Sequence, residues 1–193
     1  MLHTTISYYN SNASEYNERT FNLLPEDQLI TFMTHLPSGK ILDIGCGSGR
    51  DTVYFQKQDR AVDLIEPSLE MSKIAFQNTG IQPQQITVQK LCAVNEYAGV
   101  WACASLLHVP EEQLSDVITK IYHALQQNGV FYCSFKKGTG TIIDEQGRLQ
   151  THMTLSSLSK LCCAFKPIRL WITKDSNTGR CEWVNIICKK EIM

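Results

Sequence analysis

A short glycine-rich segment, residues 43–49, has the residue types of a ligand-binding loop. It reads DIGCGSG, so an aspartate stands two residues before the first of three alternate glycines. An apolar run, residues 41–44, overlaps its start, and helix formers follow from about Arg50. Glycine allows a sharp turn and a close approach of the backbone to a ligand, and free N–H groups at a helix start attract anions. The segment therefore predicts a ligand site at the carboxyl end of the first strand.

A second acidic residue follows at a spacing that suits a sugar. Glu66 stands 21 residues after Gly45, at the end of the next apolar run. A carboxylate in that position accepts hydrogen bonds from both hydroxyls of a ribose. Asp63 is the weaker candidate because it lies within the run, and a solvated strand-end acid is the alternative interpretation of Glu66.

The spacing of the glycines separates two classes of ligand. A dinucleotide fingerprint reads GxGxxG and requires glycine at position 50, where this chain has Arg50. Its third glycine is Gly49, which gives GxGxG instead, and Asp43 before the loop also fits a different ligand. A nicotinamide-dependent oxidoreductase is therefore the less favoured class.

Strand and helix patterns alternate along the chain, which indicates an α/β fold. The predicted strands are residues 41–44, 61–66, 86–91, 99–104, 130–135, 168–173 and 182–188. The first five alternate with helices, whereas the last two are joined by the turn-rich residues 175–179. This order predicts a doubly wound, mostly parallel sheet of seven strands, with helices on both faces and an antiparallel hairpin at the C-terminus.

The predicted helices flank these strands. They are residues 11–35, 50–58, 68–78 and 110–125, with a further helix that begins after Thr154. Residues 136–150 are polar and contain three glycines, which predicts a surface loop or small hairpin over the edge of the sheet that carries the site.

Composition argues against several classes of protein. The 193 residues are 43% hydrophobic, and 18 Lys and Arg stand against 19 Asp and Glu, with no block of like charge. Proteins that neutralise many phosphates usually carry a basic excess. The longest mainly apolar uncharged run, residues 97–109, is too short to cross a bilayer, and the first residues lack the pattern of a signal peptide. We therefore expect one domain, without nucleic-acid or membrane partners.

The cysteines favour free thiols over a disulfide framework. They stand at positions 46, 92, 103, 133, 162, 163, 181 and 188, several of them within apolar runs. There is no CxxC pair, and no Cys/His spacing resembles a zinc site. Free thiols are typical of a reducing cytoplasm, so we predict that location and no bound metal.

Two segments resemble class I S-adenosylmethionine (SAM)-dependent methyltransferases. Residues 42–51 (LDIGCGSGRD) and 101–110 (WACASLLHVP) are similar to small bacterial methyltransferases related to the tellurite-resistance methyltransferases. The resemblance implies a Rossmann-like single domain over residues 1–193, with a helical cap (1–36) and a SAM-binding core (37–193). It also implies in-line transfer of a methyl group to a small molecule. A non-catalytic SAM-binding protein is the alternative, and an NAD-dependent oxidoreductase the more remote one.

The resemblance assigns roles around the bound SAM. Asp43 and the glycines hold its methionine part, Glu66 its ribose, and residues 92–93 flank its adenine. An acid that commonly follows the third strand in this family is missing here, and Asn95 or a backbone carbonyl takes its place. The implied SAM-binding residues are Tyr16, Asp43, Gly45, Cys46, Gly47, Gly49, Arg50, Glu66, Pro67, Met71, Cys92, Ala93, Ala104 and Ser105.

The methyl acceptor has one leading candidate contact. His108 follows the fourth predicted strand on the same rim as the glycine loop, where it suits acceptor contact or proton removal; packing beside Pro110 is the alternative. His152 is a weaker candidate. Arg50 is expected to pair with an acid of the N-terminal segment, such as Glu15 or Glu18, and so to close a lid; a clamp on the substrate is the alternative.

Charged and aromatic residues around this edge leave two interpretations open. Lys136, Lys137 and Arg148 are solvated surface charges or, if they converge, favour an anionic acceptor. Tyr8, Tyr9 and Tyr16 are an aromatic wall over a cationic sulfonium or pack the N-terminal helix on the sheet.

Overall fold

A mostly parallel sheet forms the centre of the protein in the computed structural model, which describes residues 2–174 and 181–191. The strands are β1 (Ile41–Ile44), β2 (Val62–Ile65), β3 (Tyr97–Ala102), β4 (Leu125–Lys136), β5 (Thr141–Ile143), β6 (Leu149–Thr151), β7 (Lys166–Lys174) and β8 (Glu182–Lys189). Six of them form the main sheet in the order β2-β1-β3-β4-β8-β7, and β5 pairs with β6 separately. Strands β2, β1, β3 and β4 are parallel, whereas β8 is antiparallel to both of its neighbours.

Helices cover both faces of this sheet. They are α1 (Leu2–Thr20), α2 (Glu26–His35), α3 (Arg50–Lys57), α4 (Leu69–Thr79), α5 (Glu111–Ala124) and α6 (Leu155–Leu161). One buried cluster joins the sheet to α5 and α6, and the other joins it to α2 and α3. The α/β fold with helices on both faces is therefore confirmed. None of the helices in the described ranges is both long and apolar enough to cross a membrane.

Strand β1 shows why the site lies where it does. All four of its residues are buried, since β2 and β3 flank it and helices cover it from both sides. A central parallel strand is expected to be apolar throughout, yet its third residue is Asp43. Burial of a carboxyl group at this position lowers the stability of the fold, and a role in ligand binding explains why such a group stands there.

The predicted strand at residues 86–91 is wrong, so the main sheet has six strands and not seven. Only Gln84 bridges β2, through Ile65, and residues Val88–Lys90 form a short 3₁₀ turn. The apolar pattern that suggested a strand reflects three side chains, Ile86, Val88 and Leu91, that reach the core from this irregular segment.

The N-terminal region also differs from its prediction. The expected helix over residues 11–35 is two helices, because residues 21–25 interrupt it and Pro25 begins a new one as the N-cap. Helix α1 starts far earlier than expected. The sequence did not predict this start because the buried positions of α1 include the small residues Thr5 and Ala13 and do not form an apolar stripe.

The C-terminal elements are as expected. Strands β7 and β8 form the antiparallel hairpin, although its predicted turn at 175–179 lies outside the described residues. In the segment expected to be a loop or small hairpin, β5 pairs with β6, and the hairpin extends one residue beyond the predicted end at 150.

Candidate functional site

The glycine loop turns the chain sharply between β1 and α3. Gly45, Gly47 and Gly49 have φ angles of 65°, 56° and 79°, in the left-handed region that favours glycine. The backbone N–H groups of Gly45 and Cys46 both donate to the carbonyl of Ile65, at 2.8 and 3.1 Å. A Cβ atom on Gly45 would lie 2.6 Å from the Cβ of Ser105. The loop is thus held against the ends of both neighbouring strands.

Glu66 connects this loop to the next helix. Its Oε2 accepts a hydrogen bond from Gly47 N at 2.9 Å, and its Oε1 accepts one from Ser68 N at 2.8 Å. The residue is 7% exposed. Burial raises the pKa of its carboxyl to about 7 against the opposing effect of the two backbone donors. Each carboxylate oxygen retains capacity for a further donor, so Glu66 can bind a pair of hydroxyls.

Asp43 is the second buried carboxyl at this edge. It is 2% exposed, and its Oδ2 accepts a hydrogen bond from Thr52 Oγ1 at 2.7 Å. Burial and then the negative charge of Asp51 raise its pKa to about 8. A cationic group placed here would stabilise the ionised form.

One cavity brings these groups together at the carboxyl ends of β1, β2 and β3. Among the residues expected from the sequence, it is lined by Tyr16, Asp43, Gly45, Cys46, Gly47, Arg50, Glu66, Pro67, Met71, Ala104, Ser105 and His108. The Oγ of Ser105 is buried and has no hydrogen-bond partner among the described residues. An unpaired buried hydroxyl in a cavity lining is a position where a ligand is expected to bind.

Four expected residues lie outside this lining. Gly49 faces α4, because a Cβ on it would lie 2.6 Å from Thr79 Cγ2, so its role is packing. Cys92 and Ala93 do not reach the cavity, and residues 87–89 line that end instead. Asn95 lies elsewhere, with its Oδ1 accepting from Lys190 Nζ at 3.2 Å. This shift follows from the irregular segment that replaces the expected strand.

Arg50 does not pair with the N-terminal acids. Its Nε donates to Asp51 Oδ1 at 2.6 Å and its Nη2 to Asp51 Oδ2 at 3.1 Å. The same carboxylate accepts from Trp101 Nε1 at 2.8 Å, whereas Glu15 lies 4.0 Å from Arg19. The expected pairing with Glu15 or Glu18 is therefore wrong, because the positive charge of Arg50 instead stabilises the buried carboxylate of Asp51.

His108 lies in the cavity wall with both ring nitrogens engaged. Its Nδ1 lies 2.7 Å from the carbonyl of Leu149, so Nδ1–H is the donor and Nε2 accepts from the hydroxyl of Tyr9 at 3.0 Å. Burial lowers the pKa of the imidazole to about 4, against the opposing effect of the Leu149 carbonyl. The ring is therefore neutral near pH 7. His152, the weaker candidate, lines neither this cavity nor the one beside it.

Helix α1 lies across the cavity and is held at three points. Asn10 Oδ1 accepts from Ser68 Oγ at 2.8 Å, at the start of α4. Thr5 Oγ1 accepts from Leu149 N at 3.0 Å on β6. The third contact is the Tyr9–His108 pair, where the tyrosine ring also lies edge-on to Tyr16, with the ring centres 5.3 Å apart. Sequence patterns missed Asn10 and Thr5, because polar docking contacts leave no apolar periodicity.

A second cavity of about 660 Å³ adjoins the first. The side chains or backbone common to both linings are those of Tyr9, Tyr16, Thr20, Arg50, Cys103, Ala104 and His108. Ala104 has φ 50°, a strained value for a residue with a side chain, and its N–H donates to Ser134 Oγ at 2.8 Å. The volume suits a small-molecule ligand. Two ligands placed in these cavities would meet beside Ala104.

Comparisons with known proteins agree with this geometry. Residues 41–129 match the family model described as a methyltransferase domain. A methyltransferase of Staphylococcus carnosus (strain TM300), described as uncharacterized, is 24% identical over 120 residues. That alignment covers 62% of this chain and 56% of the relative, so the chain spans little more than half the length of this curated relative.

Solved structures share the fold. The 1,6-didemethyltoxoflavin-N1-methyltransferase of Burkholderia thailandensis, crystallised with 1,6-didemethyltoxoflavin and S-adenosylhomocysteine (SAH), has a TM-score of 0.81 and 19% identity, covering 98% of this chain and 88% of that one. A SAM-dependent methyltransferase of Methanosarcina mazei has a TM-score of 0.71 and 19% identity, covering 89% and 99%. The finer resemblance to tellurite-resistance methyltransferases stays a prediction. Residues 41–129 are thus similar to a methyltransferase domain, and the chain has the class I, Rossmann-like methyltransferase fold.

Proposed function

We propose that this protein is an enzyme that transfers a methyl group from SAM to a small-molecule acceptor. The observation that carries the proposal is the position of Asp43 and Glu66 on either side of the glycine loop, in a cavity that adjoins a second one. The Burkholderia relative, which shares the fold, was crystallised with SAH and a small heterocyclic molecule. The lack of disulfide bonds among the described cysteines suits a cytoplasmic location.

The residues of the first cavity fit SAM part by part. Asp43 provides a negative charge for the amino-acid end, and the absence of a side chain at Gly45 lets the loop pack against Ser105. Glu66 accepts from the ribose hydroxyls. The irregular segment, residues 87–89, and Met71 provide the surroundings of the adenine. The unpaired Oγ of Ser105 gains a partner when the cavity is filled.

Methyl transfer requires mainly that the protein position the two reactants. The sulfonium of SAM is already an activated methyl donor, so the protein has to hold a nucleophile in line with the methyl group, at roughly 3–3.5 Å. The shared wall at Ala104 and His108 is where the two ligands would approach each other. Helix α1 covers this wall through Tyr9 and Tyr16 and excludes water from it.

His108 is proposed as an acceptor contact that fixes the position of Tyr9. A histidine whose pKa lies near 4, and whose lone pair already receives a hydroxyl proton, is a poor base at neutral pH. We expect H108A to keep the SAM affinity within about twofold and to lower turnover by at least about tenfold. H123A, on the exposed face of α5, is the matched control.

Two further readouts make the His108 prediction specific. Tyr9→Phe removes only the hydroxyl that the ring binds, and should reproduce part of the loss. The pH profile of the parent enzyme should show no inflection from His108 near its ordinary pKa of 6.5. Unchanged turnover in H108A would remove the residue from the acceptor site.

The experiment that tests the proposed function uses purified protein with isotopically labelled SAM and a cell extract. Mass spectrometry should detect SAH and at least one metabolite that has gained the labelled methyl group. Binding of SAM without any SAH formed would favour a non-catalytic SAM-binding protein. Binding of NAD with no binding of SAM would overturn the proposal.

A further inference from the structure

We infer that the methyl acceptor is a small aromatic acid, held through its anionic group by Lys136 in the second cavity. The inference rests on the proposed function, because it concerns the cavity beside the proposed SAM site. It names a substrate class for that site.

The charges that line the second cavity are strongly unbalanced. Its cationic side chains among the described residues are those of Arg19, Arg50, Lys136, Arg148 and Lys174. The acidic residue among the described residues of this lining is Glu26, which is exposed. The whole chain has a formal net charge of −1, so this concentration of positive charge is not a general property of the protein. Cavities lined by one sign of charge attract ligands of the other sign.

Some of these cations already have partners. Arg50 is bound by Asp51, and the Nη2 of Arg148 lies 2.7 Å from Asp144 Oδ2. Lys136 has no ion pair within the described ranges, although it is only half-exposed. An ammonium group partly removed from water is stabilised by an anion that binds beside it. This makes Lys136 the cation best placed to receive a ligand.

The orientation of Lys136 follows from its place on β4. Alternate residues of a strand face the same side, and Tyr132, Ser134 and Lys136 all line the second cavity. Lys137 is next in the chain, lies outside this lining, and its Nζ pairs with Glu182 Oε2 at 2.7 Å. The positive charges of Arg148 and Lys136 both contribute to lowering the pKa of His108, after burial. Lys136 therefore lies within electrostatic reach of the shared wall.

Aromatic rings in the same lining favour a planar ligand. Tyr9 and Tyr16 lie at the shared wall, and Trp183 lies on β8 directly opposite Lys136 in the strand register. Flat rings pack against such side chains in offset or edge-on arrangements. A ring that carries an acidic group would place the ring beside these side chains and the charge beside Lys136.

Matched acid and amide probes test the inference directly. The pairs are salicylate and salicylamide, 4-hydroxybenzoate and 4-hydroxybenzamide, and nicotinate and nicotinamide, each titrated calorimetrically into the protein with and without saturating SAH. We expect the acid to bind at least about tenfold more tightly than its amide, with an affinity that falls as salt is added. K136M should weaken acid binding by at least about fivefold without changing the SAH affinity, and K136R should restore most of it. K137M is the matched control and should change neither affinity.

The outcomes separate this inference from the proposed function. Equal binding of acids and amides, no binding of any acid, or full acid binding in K136M would overturn the aromatic-acid inference even when SAH binds normally. Absence of SAH and SAM binding would instead contradict the proposed function. The titrations without SAH then still report whether the second cavity prefers acids.

Discussion

Glu66→Gln is expected to raise the Kd of the protein for SAM by roughly 10- to 100-fold while leaving the fold intact. The carboxylate accepts from Gly47 N and Ser68 N and has capacity left for the two ribose hydroxyls. The amide keeps one acceptor oxygen but presents an NH₂ group to donors at the other position. Glutamine is preferable to alanine here, because alanine would leave both backbone donors without their partner. Isothermal titration calorimetry measures the change.

Asp63→Asn is the matched control for this prediction. Asp63 lies on β2, three residues before Glu66, but its carboxylate accepts from Lys40 Nζ at 2.9 Å and from the hydroxyl of Tyr97 at 3.0 Å. It lines neither cavity. The control should bind SAM like the parent. Equal SAM affinities for the parent and the Glu66 variant would show that Glu66 does not bind the ribose.

The sequence was informative where a function depends on neighbours in the chain. The glycine loop and Glu66 each follow a short buried strand, and parallel strands in one sheet end at the same edge. Their meeting in one cavity therefore follows from spacing and chain direction alone. The α/β fold was predictable for a similar reason, since alternating strands and helices leave few arrangements that bury both kinds of element.

Contacts between distant parts of the chain were not predictable in this way. Arg50 pairs with its neighbour Asp51, but the carboxylate of Asp51 is also held by Trp101 on β3, 50 residues away in the chain. The residues that line the proposed adenine end differ from those predicted, because residues 86–91 are not a strand although their apolar alternation resembles one. The docking of α1 through Asn10 depends on the cap of α4, 58 residues away from Asn10. Each case requires knowledge of a surface that forms only in the folded protein.

Asp43→Asn is expected to abolish tight SAM binding and to stabilise the free protein at alkaline pH. The pKa of Asp43 rises from 3.8 to about 8 in the folded chain, through burial first and the charge of Asp51 second. The folded state therefore binds this proton more tightly than the unfolded state. The contribution to stability is fully present below about pH 4 and is lost as the pH rises towards 8.

Asparagine is neutral at every pH and keeps an oxygen acceptor for the hydroxyl of Thr52, so it removes this loss. At pH 9 we expect the variant to exceed the parent by roughly 1–3 kcal/mol in free energy of unfolding, part of the gain being offset by burial of the amide group. At pH 5, where the folded parent keeps its proton, the variant should be no more stable than the parent, because the cost of burying the amide group is the same at every pH. Urea unfolding at both pH values measures the difference, with Asp116→Asn on the exposed face of α5 as the control.

The affinity for SAM should depend on pH in the opposite direction from the stability of the fold. If the ionised carboxylate of Asp43 receives the amino group of SAM, the affinity of the parent rises between pH 6 and pH 8 and binding releases protons. Calorimetry in two buffers of different ionisation enthalpy measures that release. The variant has no carboxylate to ionise here, so its Kd should be at least about 100-fold higher and it should release fewer protons. A variant that is more stable at pH 9 and still binds SAM like the parent would mean that Asp43 is a structural acid outside the binding site. A variant that loses binding without any gain in stability would mean that the pKa of Asp43 is not raised in the free protein.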